Sequence, residues 1–379
     1  MVFYLIKFLR SHTGLLYITF GNILGAAITG CFWLILALIQ PVEEYGKTSH
    51  IVSLASLASS FALLGLNTTV LTFIPKGFQK INIQANQLIL ISGFIASVLA
   101  ALYDWLLGFF VIGMTFWMMS TYELLGKKSY KHYAIVNVGA RAIQIVLSLF
   151  LYYFLGIPGI VLGFSISFLV FAYQYYLSMK NFTFDFSELK DKMKFSLHVY
   201  SFNLSNALLM YFDKIIIAPL FGYAILGYYQ LGFQFLLFLG MIPISLFQYL
   251  VPEEATGKKK TKLRILGLVL SIVLAFLLYL FSPYIVNNFF PQYIKSIDSI
   301  RIMSMGLMPL SITYLINSEF LANGKTRGVI GGAILYQTLQ LSLIYYLGFR
   351  FETTGLSLAV VFALTGQALF LFAYKRYIR

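Results

Sequence analysis

The stretch ANQLILISGFIASVLAALYDWLLGFFVIGMTFWMMSTY, residues 85–122, carries a single charged residue, Asp104. As one straight α-helix it would be about 57 Å long at about 1.5 Å per residue. The hydrocarbon layer of a membrane is only about 30 Å thick. We therefore predict two membrane-spanning helices in this stretch, joined by a turn near Asp104 on the outer side.

Apolar stretches long enough to cross a membrane recur along the whole chain, and the break GIPG at 156–159 separates two of them. Only 11% of the 379 residues are charged, against about 25% in soluble domains, so a soluble fold is excluded. The sequence predicts an all-α polytopic membrane protein with twelve transmembrane helices, at 14–40, 51–74, 85–103, 105–122, 133–155, 157–179, 195–220, 222–251, 265–286, 300–321, 328–348 and 354–374.

The basic residues are concentrated in every second gap between the predicted spans. Of 27 Lys and Arg residues, 22 fall on one side of the membrane, and Lys47, Lys214, Lys295, Arg301 and Arg350 are the exceptions. This bias indicates that both termini are cytoplasmic. A nucleic-acid-binding protein would collect its basic residues on one polar surface, so the net charge of +14 does not indicate that class.

The polar stretch NFTFDFSELKDKMK at 181–194 divides the predicted spans six and six. We predict an N-terminal six-helix bundle at 1–181, a cytoplasmic linker at 182–194 and a C-terminal six-helix bundle at 195–379. FAY recurs at 171–173 and 372–374, each time downstream of a YY pair, which indicates a weak internal repeat. Copies with an even number of spans share one orientation, so the two bundles would be parallel-related, with substrate handled between them.

Two predicted spans carry polar residues at helical spacing. In the fifth, Asn137, Arg141, Gln144 and Ser148 share one face. Ionisable groups inside spans usually face protein or water, so Arg141 either lines a cavity open to the cytoplasm and meets a phosphate, or extends to the cytoplasmic headgroups. The polar stripe beside it favours the cavity.

The seventh predicted span carries Asn203, Asn206, Asp213 and Lys214. Lys214 lies too deep to reach the cytoplasm, and Asp213 is its local counter-ion. The pair either lies in a central cavity or forms a structural ion pair, and Lys214 could instead extend to the outer surface. We predict the cavity.

Three further residues carry weaker signals. Arg301 is a second candidate cavity cation, although an interfacial anchor is the simpler interpretation. Glu319 is predicted to offset Lys325 and Arg327. Cys31, the only cysteine, is predicted to be a small core residue and cannot form an intrachain disulfide. The four histidines lack metal-ligand spacing, so we predict no metal site and no cofactor.

Several motifs resemble the polysaccharide-repeat (O-antigen type) flippases of the multidrug, oligosaccharidyl-lipid and polysaccharide exporter superfamily. In the first half they are NIL at 22–24, PVEEYG at 41–46, GLNTTV at 65–70 and FIPK at 73–76. In the second half they are FDKIIIAPLFG at 212–222 and LGYYQ at 226–230. The resemblance covers nearly the whole chain.

The resemblance implies a non-enzymatic transporter in the cytoplasmic membrane. Such proteins move a polyprenyl-pyrophosphate-linked oligosaccharide to the outer leaflet by alternating access of two bundles around a cationic cavity, during cell-surface polysaccharide synthesis. By motif position it implies Asp213 and Lys214 as cavity residues, and more loosely Arg141. Membrane lipids, and a polymerase or glycosyltransferases of the same pathway, are the implied partners.

Two other functions compete with the flippase. A multidrug cation antiporter on the same fold would need acidic cavity residues, whereas the deep charges here lean basic and the first span has no acidic residue. A membrane polymerase or transferase of the same pathway would need a sizeable outer loop or membrane-edge acids and histidines. No outer loop exceeds about a dozen residues.

Overall fold

The computed structural model describes residues 13–78, 80–180, 185–255, 261–322 and 326–377. Within these ranges all regular structure is helical, which confirms the all-α prediction. The helices are α1 Thr13–Ile39, α2 Val42–Ala62, α3 Leu66–Phe73, α4 Lys80–Ala101, α5 Trp105–Gly126, α6 Tyr130–Leu155, α7 Ile157–Val170, α8 Tyr173–Met179, α9 Ser187–Phe221, α10 Tyr223–Ala255, α11 Thr261–Phe289, α12 Ile297–Met305, α13 Leu307–Ala322 and α14 Thr326–Tyr377. Short 3₁₀ segments lie at Ile74–Lys76 and Pro291–Ser296.

The helices have the length and apolar composition of membrane spans. In the described ranges nine helical segments could cross a membrane, one of them the run Pro291–Phe320 that includes α12 and most of α13, or up to eleven if each of two bent pairs is one span. The bent pairs are α2 with α3 and its 3₁₀ segment (53°), and α7 with α8 (50°). α14 contains two predicted spans, and Glu352 between them has φ 46° and ψ −125°, which is not helical. Twelve spans remain a prediction.

The first predicted hairpin is confirmed. α4 ends at Ala101 and α5 begins at Trp105, so the turn lies where the single charge falls. The carboxylate of Asp104 accepts a hydrogen bond from the backbone N–H of Leu106 at 2.9 Å. Asp104 is therefore the N-cap of α5, and its position follows from capping as well as from the need for a turn.

Two predicted boundaries are wrong. The gap at 41–50 between the first two predicted spans is mostly helical: α2 begins at Val42, with Glu43 and Glu44 in its first turn, where the helix dipole favours acidic residues. The span predicted from 195 begins at Ser187, so the second half of the predicted linker is helical. There Glu188 accepts from the N–H of Ile81 at 3.0 Å, which docks the start of α9 on the start of α4.

The chain forms two compact units. Unit 1 comprises residues 1–29 and 51–207, and unit 2 comprises 30–50 and 208–379. In unit 1 a buried cluster includes Leu66, Ile89, Phe116 and Tyr175. The rings of Phe116 and Tyr175 stack with their centroids 4.1 Å apart, which fixes α5 against α8.

Unit 2 has its own core, formed mainly by α9, α10, α12, α13 and α14. Its buried members include Ile217, Tyr229, Met303, Leu307 and Val360. Residues 30–50 also belong to this unit. Tyr45 is fully buried there, with its ring centroid 5.8 Å from that of Tyr293.

Cys31 is exposed on α1, which corrects the prediction of a core position. The next residue, Phe32, is fully buried. One residue turns the helix by about 100°, so neighbouring residues face different surroundings. Some residues behind the orientation prediction lie outside the described ranges: Lys7, Arg10, Lys258, Lys259, Lys260, Lys325 and Arg379.

Candidate functional site

Arg141 lies on α6, inside unit 1, and its guanidinium crosses to α1. Nη1 donates to Oγ1 of Thr29 at 2.5 Å, and Nε donates to Oδ1 of Asn137 at 3.4 Å. The guanidinium carbon is 5.7 Å from the ring centroid of Trp117 on α5. A Cβ at Gly25 would lie 2.9 Å from Cδ of Arg141, so the stem of Arg141 lies flat against α1. The side chain is half-buried and held from three helices.

The predicted stripe on α6 divides into two parts. Asn137 donates to the carbonyl of Gly21 at 3.1 Å, so it joins Arg141 at the contact with α1. Ser148 instead donates to the carbonyl of Ile160 at 3.2 Å, and thus serves the packing of α6 on α7. Gln144, between them, is buried. Arg141 and Asn137 are brought together, whereas Ser148 has a packing role.

Lys214 and Asp213 form a buried ion pair in unit 2. Nζ of Lys214 is 3.0 Å from Oδ1 and 3.2 Å from Oδ2 of Asp213, and it also donates to the carbonyl of Met210 at 2.8 Å. The two residues are only 5% and 1% exposed. Adjacent side chains on a helix do not normally face each other, so Lys214 must fold back along α9 to reach both acceptors.

The ion pair has partners on two other helices of unit 2. The hydroxyl of Tyr229 on α10 donates to Oδ2 of Asp213 at 2.6 Å. Nζ of Lys214 lies 4.1 Å from the ring centroid of Phe233, at cation–π distance. Nδ1 of His50 is 3.2 Å from the carbonyl oxygen of Lys214. The carboxylate and the ammonium each have a neutral partner besides the other, so the ion pair is satisfied within the protein.

The two asparagines of α9 belong to unit 1. Nδ2 of Asn203 donates to Oγ1 of Thr68 on α3 at 3.2 Å. Asn206 is exposed. Neither residue contacts the Asp213–Lys214 pair in the described contacts, although all four are on one helix. Spacing along α9 therefore did not assemble the four predicted residues into one cluster.

Arg301 and Glu319 lie elsewhere in unit 2. The guanidinium carbon of Arg301 is 5.3 Å from the ring centroid of Tyr279, and Nε lies 3.4 Å from the carbonyl oxygen of the same residue. Arg301 thus contacts α11. Oε2 of Glu319 accepts from Arg264 at 3.0 Å and from Lys375 at 2.5 Å, two partners that were not predicted, and its pairing with Lys325 and Arg327 stays a prediction. Lys325 lies outside the described residues, and tertiary packing brought α11 and α14 to Glu319.

Sequence reasoning missed the groups that complete both clusters. Thr29 and Trp117 hold Arg141, while Tyr229 and Phe233 hold the Asp213–Lys214 pair. The motif LGYYQ at 226–230 was noticed, and its second tyrosine is the residue that reaches Asp213. Helical periodicity gives the face of a helix but not the helix it meets.

Comparisons with known proteins find similarity at the level of structure. No family model and no curated protein matches the chain. A lipid II flippase MurJ in an inward closed conformation superposes with a TM-score of 0.64 at 16% identity, over 96% of this chain and 80% of that one.

Two further solved structures are similar. An outward-facing multidrug resistance MATE family transporter of the MOP superfamily has a TM-score of 0.64 at 13% identity, over 96% of this chain and 95% of that one. A MOP superfamily transporter from Pyrococcus furiosus gives 0.60 at 14% identity, with the same two coverages. Identities this low establish the fold alone. The chain therefore has the fold of the MOP-superfamily transporters, in a multi-pass membrane protein.

Proposed function

We propose that this protein moves a polyprenyl-pyrophosphate-linked oligosaccharide across the cytoplasmic membrane, for cell-surface polysaccharide synthesis. The lipid tail stays in the bilayer while the charged head crosses through protein. Transport proceeds by alternating access of two helical bundles. Membrane lipids and enzymes of the same pathway, a polymerase or glycosyltransferases, are its proposed partners.

The fold supports a transporter of this kind. One of the similar structures, at a TM-score of 0.64, is a lipid II flippase. The described chain is almost entirely apolar helices, and its exposed side chains include many large hydrophobic residues. A pyrophosphate crossing bare lipid would lose its hydration at a cost of several kcal/mol. Cationic and polar side chains within the helices would replace that hydration.

The observation that carries the proposal is the position of Arg141. Its guanidinium is fixed on an apolar helix by Thr29 and Asn137, and it stays half-buried rather than sealed. Arginine recognises phosphate oxygens through several N–H donors held in a plane. A guanidinium already oriented by neutral groups loses less conformational freedom when it binds such a ligand. We assign Arg141 as the main pyrophosphate-binding residue, with Asn137 and Gln144 beside it.

The Asp213–Lys214 pair has a different part in the proposal. Because Lys214 is neutralised by Asp213, it binds a phosphate only after the pair separates. During the transport cycle Lys214 would exchange its contact with Asp213 for a contact with the phosphate of the substrate. We propose three secondary substrate contacts, Asn203, Asn206 and Arg301. They are secondary because Asn203 and Arg301 already contact other helices.

The test is translocation in liposomes that contain purified protein and a labelled polyprenyl-pyrophosphate oligosaccharide. A membrane-impermeant lectin reports the fraction of glycan that reaches the outside. We expect Arg141→Ala to slow translocation about tenfold or more, as for loss of a charged hydrogen-bonding partner. Arg141→Lys recovers only part of the rate, because an ammonium cannot form the planar contacts. Lys214→Ala also slows translocation.

The matched control is Arg350→Ala. Arg350 is exposed, and its guanidinium carbon lies 4.4 Å from the ring centroid of Tyr346. The variant should translocate at the wild-type rate. Wild-type rates in Arg141→Ala and Lys214→Ala would remove both residues from the substrate site. No translocation by the wild-type protein above protein-free liposomes would contradict the function itself.

A multidrug cation antiporter is the second candidate. The observation that favours it is the MATE transporter at the same TM-score of 0.64, together with the buried carboxylate of Asp213. That carboxylate already accepts hydrogen bonds from Lys214 and Tyr229, so it has little remaining charge or acceptor capacity for a cationic drug. Efflux of ethidium or tetraphenylphosphonium from cells, abolished in Asp213→Asn, would establish this function in place of the flippase.

A further inference from the structure

A polar cavity of about 360 Å³ lies within unit 1. It is formed by the 3₁₀ segment at Ile74–Lys76, the first turn of α4, the end of α5 and α8. Its polar lining is Asn82, Lys127, Gln174 and Ser178. None of the proposed transport residues lines this cavity. Ligand pockets usually have volumes of about 300–1,000 Å³, so the space suits a small molecule.

The charges at the cavity cancel within the protein. Glu123, on α5, is completely buried, and its Oε1 accepts from Lys127 at 2.5 Å and from Gln174 at 2.9 Å. An anionic ligand would have to take Lys127 from Glu123 and leave a buried carboxylate without its cation. The lining therefore selects against phosphates and favours a neutral ligand.

The cavity lining also includes a buried polar atom that needs a partner. Asn82 is 95% buried, since its relative exposure is 5%, and its side-chain oxygen accepts no hydrogen bond from the described residues. Glu123 and Asn86 are not part of the lining, but they hydrogen-bond to lining residues, and the amide of Asn86 donates to Oγ of Ser178. Buried acceptors without donors cost about 1–3 kcal/mol each. A ligand hydroxyl group in the cavity would satisfy the oxygen of Asn82.

We propose that this cavity binds a single neutral sugar ring. Hydroxyl groups both donate and accept, as do the carboxamides of Asn82 and Gln174. A sugar hydroxyl donates to Asn82, and its neighbours meet Gln174 and Ser178. The apolar lining of Ile74, Ile83 and Leu177 covers the C–H faces of the ring. The choice of a sugar over another small polyol rests on the proposed function, because the cavity would then hold part of the glycan.

The test is equilibrium binding of free sugars to the full-length protein in nanodiscs. Saturation-transfer NMR uses methyl glucoside, methyl galactoside and methyl N-acetylglucosaminide as probes. We expect at least one to bind, and binding to weaken about tenfold or more in Asn82→Leu, which removes the buried acceptor. Ile83→Trp, which fills the cavity from a partly buried position, should also abolish binding. Inorganic phosphate should not compete.

The matched control is Gln340→Leu, which removes a buried carboxamide from unit 2. It should bind the sugar as the wild type does. If Asn82→Leu does not fold, Ser178→Ala is the milder variant that carries the same expectation. Absence of binding by every probe, unchanged binding in the cavity variants, or competition by phosphate would overturn the proposal. Because translocation is not measured, this outcome is separate from that of the liposome assay.

Discussion

The hydroxyl of Tyr229 donates a 2.6 Å hydrogen bond to Oδ2 of Asp213, the carboxylate that also neutralises Lys214. One buried carboxylate thus serves a cation from its own helix and a phenol from α10. Each partner satisfies acceptor capacity that would otherwise remain unpaired in an apolar core. The energetic role of Lys214 can therefore be separated from its role in transport by changing both members of the pair.

Lys214→Met should destabilise unit 2 by about 3–5 kcal/mol, because it leaves a buried carboxylate without its cation. The double variant Asp213→Asn with Lys214→Met should recover most of that loss, since neither charge remains. Thermal unfolding in detergent, followed by intrinsic fluorescence, measures both. Lys47→Met, at an exposed lysine, is the control and should leave the transition temperature nearly unchanged. A double variant no more stable than the single one would show that the pair is not coupled.

Tyr229→Phe removes only the phenolic hydroxyl. We expect a loss of about 1.5–3 kcal/mol, typical of a hydrogen bond to a charged group, seen as a lower transition temperature in the same assay. The effect should shrink in the Asp213→Asn background, where the acceptor is neutral. Tyr228→Phe, at the neighbouring residue, is the control. Equal losses in both backgrounds would assign the effect to packing instead.

Gly65 is at the bend between α2 and α3, with φ 73°. A Cβ there would overlap the carbonyl oxygen of Ser196 and lie 2.8 Å from the nitrogen of Tyr200. Gly65→Ala should therefore combine the cost of a left-handed alanine, about 1–2 kcal/mol, with an overpacking cost of about 1–3 kcal/mol. Folded yield and transition temperature should both fall.

The control for that variant is Gly77→Ala. Gly77 has φ 95°, but a Cβ there would meet no heavy atom within 4 Å. Gly77→Ala therefore has the energetic cost of a left-handed alanine but no steric clash. If the two variants lose equal stability, the close approach of α9 to the bend contributes nothing.

Glu352 interrupts α14 with φ 46° and ψ −125°, a conformation that favours glycine. Glu352→Gly should raise the stability by about 1 kcal/mol, because glycine adopts this backbone without strain. Arg350→Gly, two residues earlier in regular helix, should lower it by about 1 kcal/mol. Opposite shifts in transition temperature are expected, and a decrease in both would mean that Glu352 is not strained.

Sequence patterns predicted the features that depend on local chemistry. Asp104 marked a turn because residues 85–122 are too long for one membrane-spanning helix and Asp104 is their single charge, and the structure adds that it caps α5. The break at GIPG was predicted from glycine and proline, and Gly156 there has φ 63°. These signals act within a few residues, so the sequence alone carries them.

Features that depend on which helices meet were not predicted. Glu319 has Arg264 of α11 and Lys375 of α14 as partners, and neither was predicted. Lys214 was assigned its neighbour Asp213 correctly, yet Tyr229 was missed because it lies on another helix. Periodicity fixes one face of each helix, and apolar membrane helices offer many equivalent ways to pair those faces.

The assignment of residues 30–50 to unit 2 has a consequence for biogenesis. Their packing partners include Tyr223 and Tyr293, which leave the ribosome long after this segment. Until then residues 30–50 remain in the bilayer with part of their packing surface uncovered. A nascent chain arrested after residue 207 would contain every residue of unit 1 and an orphaned segment open to quality-control proteases.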